Sequence, residues 1–198
     1  MLKATAQGSA TRDRLLEAAF ETLRHDGFAR TSARTIARTG DFNQALIFYH
    51  FGSVNNLLLA ALDRVSSTRM ERYREALGKA SGLVELSRFA RELYLDDIDC
   101  GHSTVLAELF AASSGNPALR DQMLNRMQPW LEFTEDLIRR ILQDSSLGSL
   151  IDARAAASAV LAMYVGVDLL LHLDGDRSRA TAMFDAGDRL AAAIGPLL

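Results

Sequence analysis

Apolar positions along this chain recur with the period of helices, and no stretch alternates in the manner of a strand over a useful length. Leu15, Leu16, Ala19, Phe20 and Leu23 form one such series, which predicts a first helix over about 12–25, opened by Thr11 and ended by Gly27. Phe28 follows as an apolar plug. Ser32 to Thr39 forms a short segment capped by Thr31 or Ser32, with Ala33, Ile36 and Ala37 inward, and it meets a Gly40–Asp41 turn. A second short segment runs from Asn43 to Phe51. Gly52–Ser53 breaks the chain and opens a long helix over about 54–77, with Leu57, Leu58, Ala61, Leu62 and Val65 on one face. Its later half, TRMERYREALGK, is highly charged and is expected to emerge into solvent.

Five further helices are predicted over about 83–97, 103–113, 117–143, 152–173 and 177–194, with one of the intervening breaks at 144–148. Pro117 suits a first turn, whereas Pro129 falls inside its helix and is expected to kink it. Residues 1–10 are small and polar and are expected to form a disordered tail.

Two short helices joined by a tight turn, the second polar and exposed at its start, have the shape of a helix-turn-helix. Such a unit must borrow a core from neighbouring helices. Gln44 is suited to bidentate contact with adenine, and Ala45 to contact with a thymine methyl. For Asn43 both base contact and helix capping are open. Thr31, Ser32, Arg34 and Tyr49 suit phosphate contacts, helped by the backbone donors at the start of the second helix. Arg12, Arg14, Arg30 and Arg38 read individually as solvated surface arginines.

The net charge of −3 changes this picture only slightly. Residues 1–50 hold seven Lys/Arg against five Asp/Glu, while the remainder holds fifteen against twenty. The N-terminal end is therefore the more basic, but a large cationic field is not what would hold DNA. No apolar run reaches the roughly 18–20 residues of a membrane span, so no membrane partner is expected. The single cysteine, Cys100, excludes an intrachain disulfide, fits a reducing cytoplasm and reads as a small buried hydrophobe.

A first helix ending in glycine, followed by TSARTIARTGDFNQALIFYHFGSVNNLL, resembles the DNA-binding domain of tetracycline-repressor-like (TetR-family) regulators. Ile36–Ala37, Asn43, Ile47–Phe48, His50–Phe51, Ser53 and Leu57 occupy the places of the family pattern over about residues 11–60. Three positions depart from it. The turn glycine falls on Asp41, which tolerates a left-handed backbone better than most residues. The tyrosine near the end of the recognition helix is Phe48, and the lysine opening the next helix is Val54, which removes a hydroxyl and a cation from the backbone contacts. Asn55 and the helix start are partial replacements. The resemblance adds Phe48, His50 and Asn55 to the candidate DNA-binding residues.

The rest of the chain carries an aromatic and methionine series, open to reading as ordinary core or as a ligand pocket: Phe89, Tyr94, Phe110, Met123, Met127, Trp130 and Phe133, joined by Met163 and Tyr164. Asp168 is a carboxylate inside the apolar run VLAMYVGVDLLLHL and needs either a partner or a raised pKa. His172, one turn on, could pair with it; an inter-subunit structural pair and a ligand contact are both open. Small residues line the last two helices, at Ala155, Ala159, Ala162 and Gly166 and at Ala182 and Ala186. The family resemblance implies that this pair of helices forms a four-helix dimer interface. Asp96, Asp97, Asp99, Cys100, His102 and Glu108 lie close in sequence but fit no zinc spacing, and they read as a solvated acidic helix end.

These readings predict an all-α chain: a tail over 1–10, a three-helix helix-turn-helix domain over 11–52, and a helical ligand-binding and dimerisation domain over 53–198. The expected function is that of a ligand-responsive regulator, acting as a repressor released from a palindromic double-stranded operator by a small apolar effector. Homodimerisation is expected; a catalytic site, a cofactor and a metal are not. The other reading is a helical dimer that works mainly through protein interaction, with DNA binding weakened at Phe48 and Val54.

Overall fold

The computed structural model describes the backbone of residues 2–143 and 150–195, and side chains from residue 9 onward. Among these residues the chain is wholly helical: α1 (Leu2–Asp26), a 3-10 turn (Phe28–Arg30), α2 (Ala33–Gly40), α3 (Ala45–Phe51), α4 (Val54–Gly78), α5 (Leu83–Asp99), α6 (His102–Ser113), α7 (Pro117–Leu142), α8 (Ala153–Asp174) and α9 (Ser178–Ile194). The expected break at 144–148 lies outside the described residues.

The backbone of α1 begins at Leu2, so the segment expected to be a tail continues the helix. Lys3, Ala4, Ala6 and Gln7 are good helix formers, and Gly8 alone does not stop propagation. Gly27 ends α1 at φ +74°, a conformation that disfavours any other residue. The N–H of Phe28 is then bound by the Glu108 carboxylate at 2.6 Å.

Two compact units emerge. The first comprises residues 1–68 with 104–123. Its core is Leu15, Ala19 and Leu23 of α1, Ile36 of α2, Ile47 of α3, Leu57 and Leu58 of α4, and Val105 and Leu109 of α6, all essentially inaccessible to solvent. The helix-turn-helix thus acquires the external core that its size demands. The second unit comprises residues 69–103 with 124–198, in which α9 packs on α5 and α8. Ser87 and Arg91 of α5 meet Asp185 and Asp188 of α9 through a bond of 2.5 Å from the Ser87 hydroxyl and ion pairs of 2.6 and 3.2 Å.

Three expectations need correction. The charged later half of α4 does not simply emerge into solvent: Arg69, Met70 and Leu77 are buried, because their faces recur at helical spacing beneath the charged ones. Asp97 is not part of a solvated helix end but is buried, whereas Asp96 pairs with Arg72 and Asp99 with Arg177 at the surface. Cys100 is exposed, since it caps α5 after the last buried turn. α7 runs through Pro129 as one helix.

Candidate nucleic-acid interface and effector site

The start of α2 is held by a reciprocal capping box. Ser32 Oγ accepts from the Thr35 N–H at 3.2 Å, and Thr35 Oγ1 accepts from the Ser32 N–H at 2.8 Å. The turn after α2 puts Asp41 in the left-handed region (φ 51°, ψ 59°), as its side chain allows. Gly40 is required for a different reason. A Cβ there would lie 2.1 Å from the Phe42 ring and 2.8 Å from the Ala18 methyl. Arg14, read from sequence as a solvated arginine, donates to the carbonyls of Gly40 (3.1 Å) and Asp41 (3.2 Å), tying α1 to the turn.

Asn43 Oδ1 accepts from the Ala45 N–H at 2.8 Å, so this oxygen caps α3. Ile47 and Phe51 face inward, and Arg12 lies over the Phe51 ring at 4.3 Å. The opposite face of α3 presents Ala45, Phe48 and Tyr49, with Gln44 just before it; Tyr49 is 83% exposed and Phe48 52%. His50, half-buried, packs edge-on against Tyr49 at 5.0 Å. Ser32 and Arg34 are exposed at the start of α2, while Thr31 donates to the Gly27 carbonyl at 2.7 Å. Ser53 caps α4 by accepting from the Asn56 N–H at 3.1 Å and leaves Asn55 exposed. An apolar inner face, a capped turn and an unpaired polar and aromatic outer face are what a groove-reading helix requires.

The second unit contains a buried polar network. Arg69 Nη2 donates to Asp97 Oδ2 at 2.5 Å and to the Tyr164 hydroxyl at 2.6 Å. Asp97 also accepts from the Tyr73 hydroxyl at 2.8 Å and from His102 Nδ1 at 3.2 Å; the ionised carboxylate can only accept, so Nδ1 carries the proton. Burial pushes the Asp97 carboxyl up, but the bond from His102 and the Arg69 charge outweigh it and hold the pKa below the ordinary value. The Arg69 guanidinium lies 5.1 Å from the centroid of the Trp130 ring and 5.9 Å from those of Tyr73 and Tyr164. Tyr164 packs edge-on against Tyr94 at 5.2 Å, and the Tyr94 hydroxyl donates to Asp168 Oδ1 at 2.7 Å. Burial raises the Asp168 pKa, and the hydrogen bonds from the Tyr94 and Ser103 hydroxyls and the Arg69 charge offset this only in part.

Residues 15–61 match the model of the bacterial regulatory proteins of the tetR family, across the capped turn and exposed α3 described above. Residues 15–61 thus carry the DNA-binding segment of the tetR family. The HTH-type transcriptional regulator UidR of Escherichia coli K12 is 23% identical over 193 residues, which span 97% of this chain and 95% of UidR. The regulator FadR of Bacillus subtilis, solved in complex with stearoyl-CoA, superposes with a TM-score of 0.74 at 15% identity, covering 90% of this chain and 96% of FadR. A Saccharomonospora viridis protein solved with choline superposes at 0.71 and 23% identity, covering 94% and 95%. The structural likenesses establish the shared TetR fold.

Among the described residues, those expected to line a pocket do not all converge. Tyr94, Trp130, Tyr164 and Asp168 belong to the buried network, and Phe133 joins through its ring contact with Trp130 at 6.5 Å. Met127 is half-buried on α7. Phe89 lies under the Arg88 guanidinium at 5.1 Å, and Met163 is 49% exposed on α8. Phe110 and Met123 belong to the first unit, where Met123 is buried. Sequence reasoning missed Arg69, Tyr73 and Asp97. Arg69 lies in a charged run and its partners are 28 and 95 residues away, so no local spacing marks it. The one available signal was Tyr73 four residues after Arg69, which puts both on one helical face.

Proposed function

We propose that this protein is a homodimeric repressor that reads a palindromic operator with α3 and releases it when a small, mainly apolar molecule enters the second unit. The observation that carries this reading is the exposed row of Gln44, Ala45, Phe48 and Tyr49 on a capped, rigidly seated α3. Gln44 would read a base edge, and Ser32, Arg34, Tyr49 and Asn55 would bind phosphates. In domain terms, residues 11–52 would bind DNA, and 53–198 would bind the effector and dimerise.

The dimer rests on α8 and α9. Ala155, Ala159, Ala162, Gly166, Leu170 and Leu173 follow one face of α8, and Ala182, Ala186 and Leu190 follow one face of α9. Most of these residues are exposed in the single chain, including Leu170, Leu173 and Leu190. So much contiguous apolar surface calls for a covering partner, and small residues allow close helix approach. By length and composition α8 could also cross a membrane. Its mid-helix Asp168 is instead tied to Tyr94 of α5, which favours packing within a helical assembly.

Two recognition helices related by a dimer axis would reach successive major grooves about 34–36 Å apart. An effector that binds better to a state with another spacing would weaken DNA binding by its differential affinity. That structural relatives were solved with stearoyl-CoA and with choline supports a small-molecule effector. A mobility-shift titration on palindromes selected from random duplex tests the reading. Dimeric, salt-sensitive binding to selected sequences supports it, and equal binding to selected and random duplex refutes it.

A further inference from the structure

Phe48 and Tyr49 stand side by side on α3, 52% and 83% exposed, and one atom decides what each can meet in a groove. The Tyr49 hydroxyl can donate to a phosphate oxygen. The Phe48 ring has no donor and no acceptor, so neither a phosphate nor the polar edge of a base gives it a hydrogen bond. Covering such a ring is favourable where it meets apolar surface. In the major groove the base pairs present mostly polar atoms, and the C5-methyl of thymine is the apolar group that projects among them.

The geometry of α3 sets the ring beside the side chains that face bases. Gln44 already has right-handed helical backbone angles (φ −55°, ψ −25°), so helical spacing holds from this residue onward. At about 100° per residue, Phe48 falls between Gln44 and Ala45, one turn after both. Ala45 is exposed and adds a methyl to the same apolar strip. The rotation of α3 is fixed from behind, because Ile47 and Phe51 are buried, and the Gly52 N–H closes the helix on the Phe48 carbonyl at 3.0 Å. Phe48 is therefore held at the outer surface.

We infer that Phe48, with Ala45 beside it, determines specificity by recognising the C5-methyl group of thymine, next to the base pair read by Gln44. This rests on α3 as the recognition helix and deepens that reading: each half-site carries a thymine that is read through its methyl rather than through its hydrogen-bonding edge.

The test uses a palindrome selected by the wild-type protein, with the thymines of both half-sites replaced by deoxyuridine one position at a time. Uracil pairs with adenine as thymine does and lacks only the methyl. Fluorescence anisotropy gives the affinities of wild type, Phe48→Ala and Phe48→Tyr. Wild type should bind about fourfold more weakly for each contacted methyl removed, next to the position at which Gln44→Ala relaxes preference. Phe48→Ala should bind the thymine and uracil duplexes alike at one such position, and Phe48→Tyr, which keeps the ring, should still discriminate. Wild type indifferent to uracil at every position, selected half-sites without thymine, or Phe48→Ala that keeps the full discrimination would overturn the inference; preference of wild type for selected over random duplex would then leave α3 standing as the reader. Equal binding of wild type to selected and random duplex would overturn that reading as well. If circular dichroism shows Phe48→Ala unfolded, Phe48→Gln, a better helix former than phenylalanine, takes its place under the same criterion.

Discussion

The Glu108 carboxylate accepts the backbone N–H of Phe28 at 2.6 Å, across 80 residues of sequence, immediately after α1 ends at Gly27. A Cβ on Gly27 would lie 3.0 Å from Glu108 Oε1, so the glycine and the carboxylate fit as a pair. Removing the acceptor leaves a partly buried donor unsatisfied. Glu108→Ala should therefore lower the unfolding free energy by about 1–3 kcal/mol, and Glu108→Gln, which keeps an acceptor, by less. Urea denaturation of the two variants checks the ranking, and equal effects would show that the hydrogen bond is not what stabilises this junction.

Gly40 and Asp41 should respond in opposite ways. Gly40→Ala forces a methyl into the Phe42 ring and should cost about 1–3 kcal/mol, with loss of DNA binding as α3 shifts. Asp41→Gly relieves a left-handed residue and should be neutral or slightly stabilising. Thermal unfolding and duplex binding of both variants test this contrast.

The two buried carboxylates predict opposite pH behaviour. The folded pKa of Asp97 lies below the unfolded value of about 3.9, so its contribution is present above that value and disappears as pH falls through the folded pKa. The folded pKa of Asp168 is raised, so its contribution is full below about 3.9 and is lost as pH rises to the folded pKa. Asp97→Asn should therefore destabilise more at neutral pH than in acid. Asp168→Asn should gain stability relative to wild type as pH rises from acid to neutral. Denaturation of the ligand-free proteins at several pH values checks both signs.

Local interactions explain why the N-terminal third was legible in sequence. Ser32 and Thr35 cap α2 from within three residues, Asn43 caps α3, and Ile36 and Ile47 fall on predicted inward faces. The effector unit was legible only in part. Asp168 stood out because a carboxylate interrupts an apolar helix, but its partner is Tyr94 on α5, 74 residues away, whereas His172 is exposed. The Arg69–Asp97–Tyr164 contacts depend on how three helices pack, and helical periodicity records which face is buried but not which face it meets.

The proposed dimer gives a clean substitution. A Cβ on Gly166 would meet nothing within 4 Å in the single chain, so a large residue there should leave the protomer folded. Gly166→Arg should yield a helical monomer by light scattering. A Gly166→Arg dimer of wild-type affinity would place the interface elsewhere.

Operator recognition by this chain would rest on α3 as the sequence reader. The decisive measurement is the affinity of wild type, Gln44→Ala and Arg34→Ala for a selected palindrome and for random duplex over a range of salt. Gln44→Ala should cost about 1–3 kcal/mol on the palindrome alone and relax preference at one base position. Arg34→Ala should weaken both duplexes alike and reduce the salt slope by about one. Equal losses for Gln44→Ala on selected and random DNA, or no loss on either, would contradict the assignment of α3 as the recognition helix.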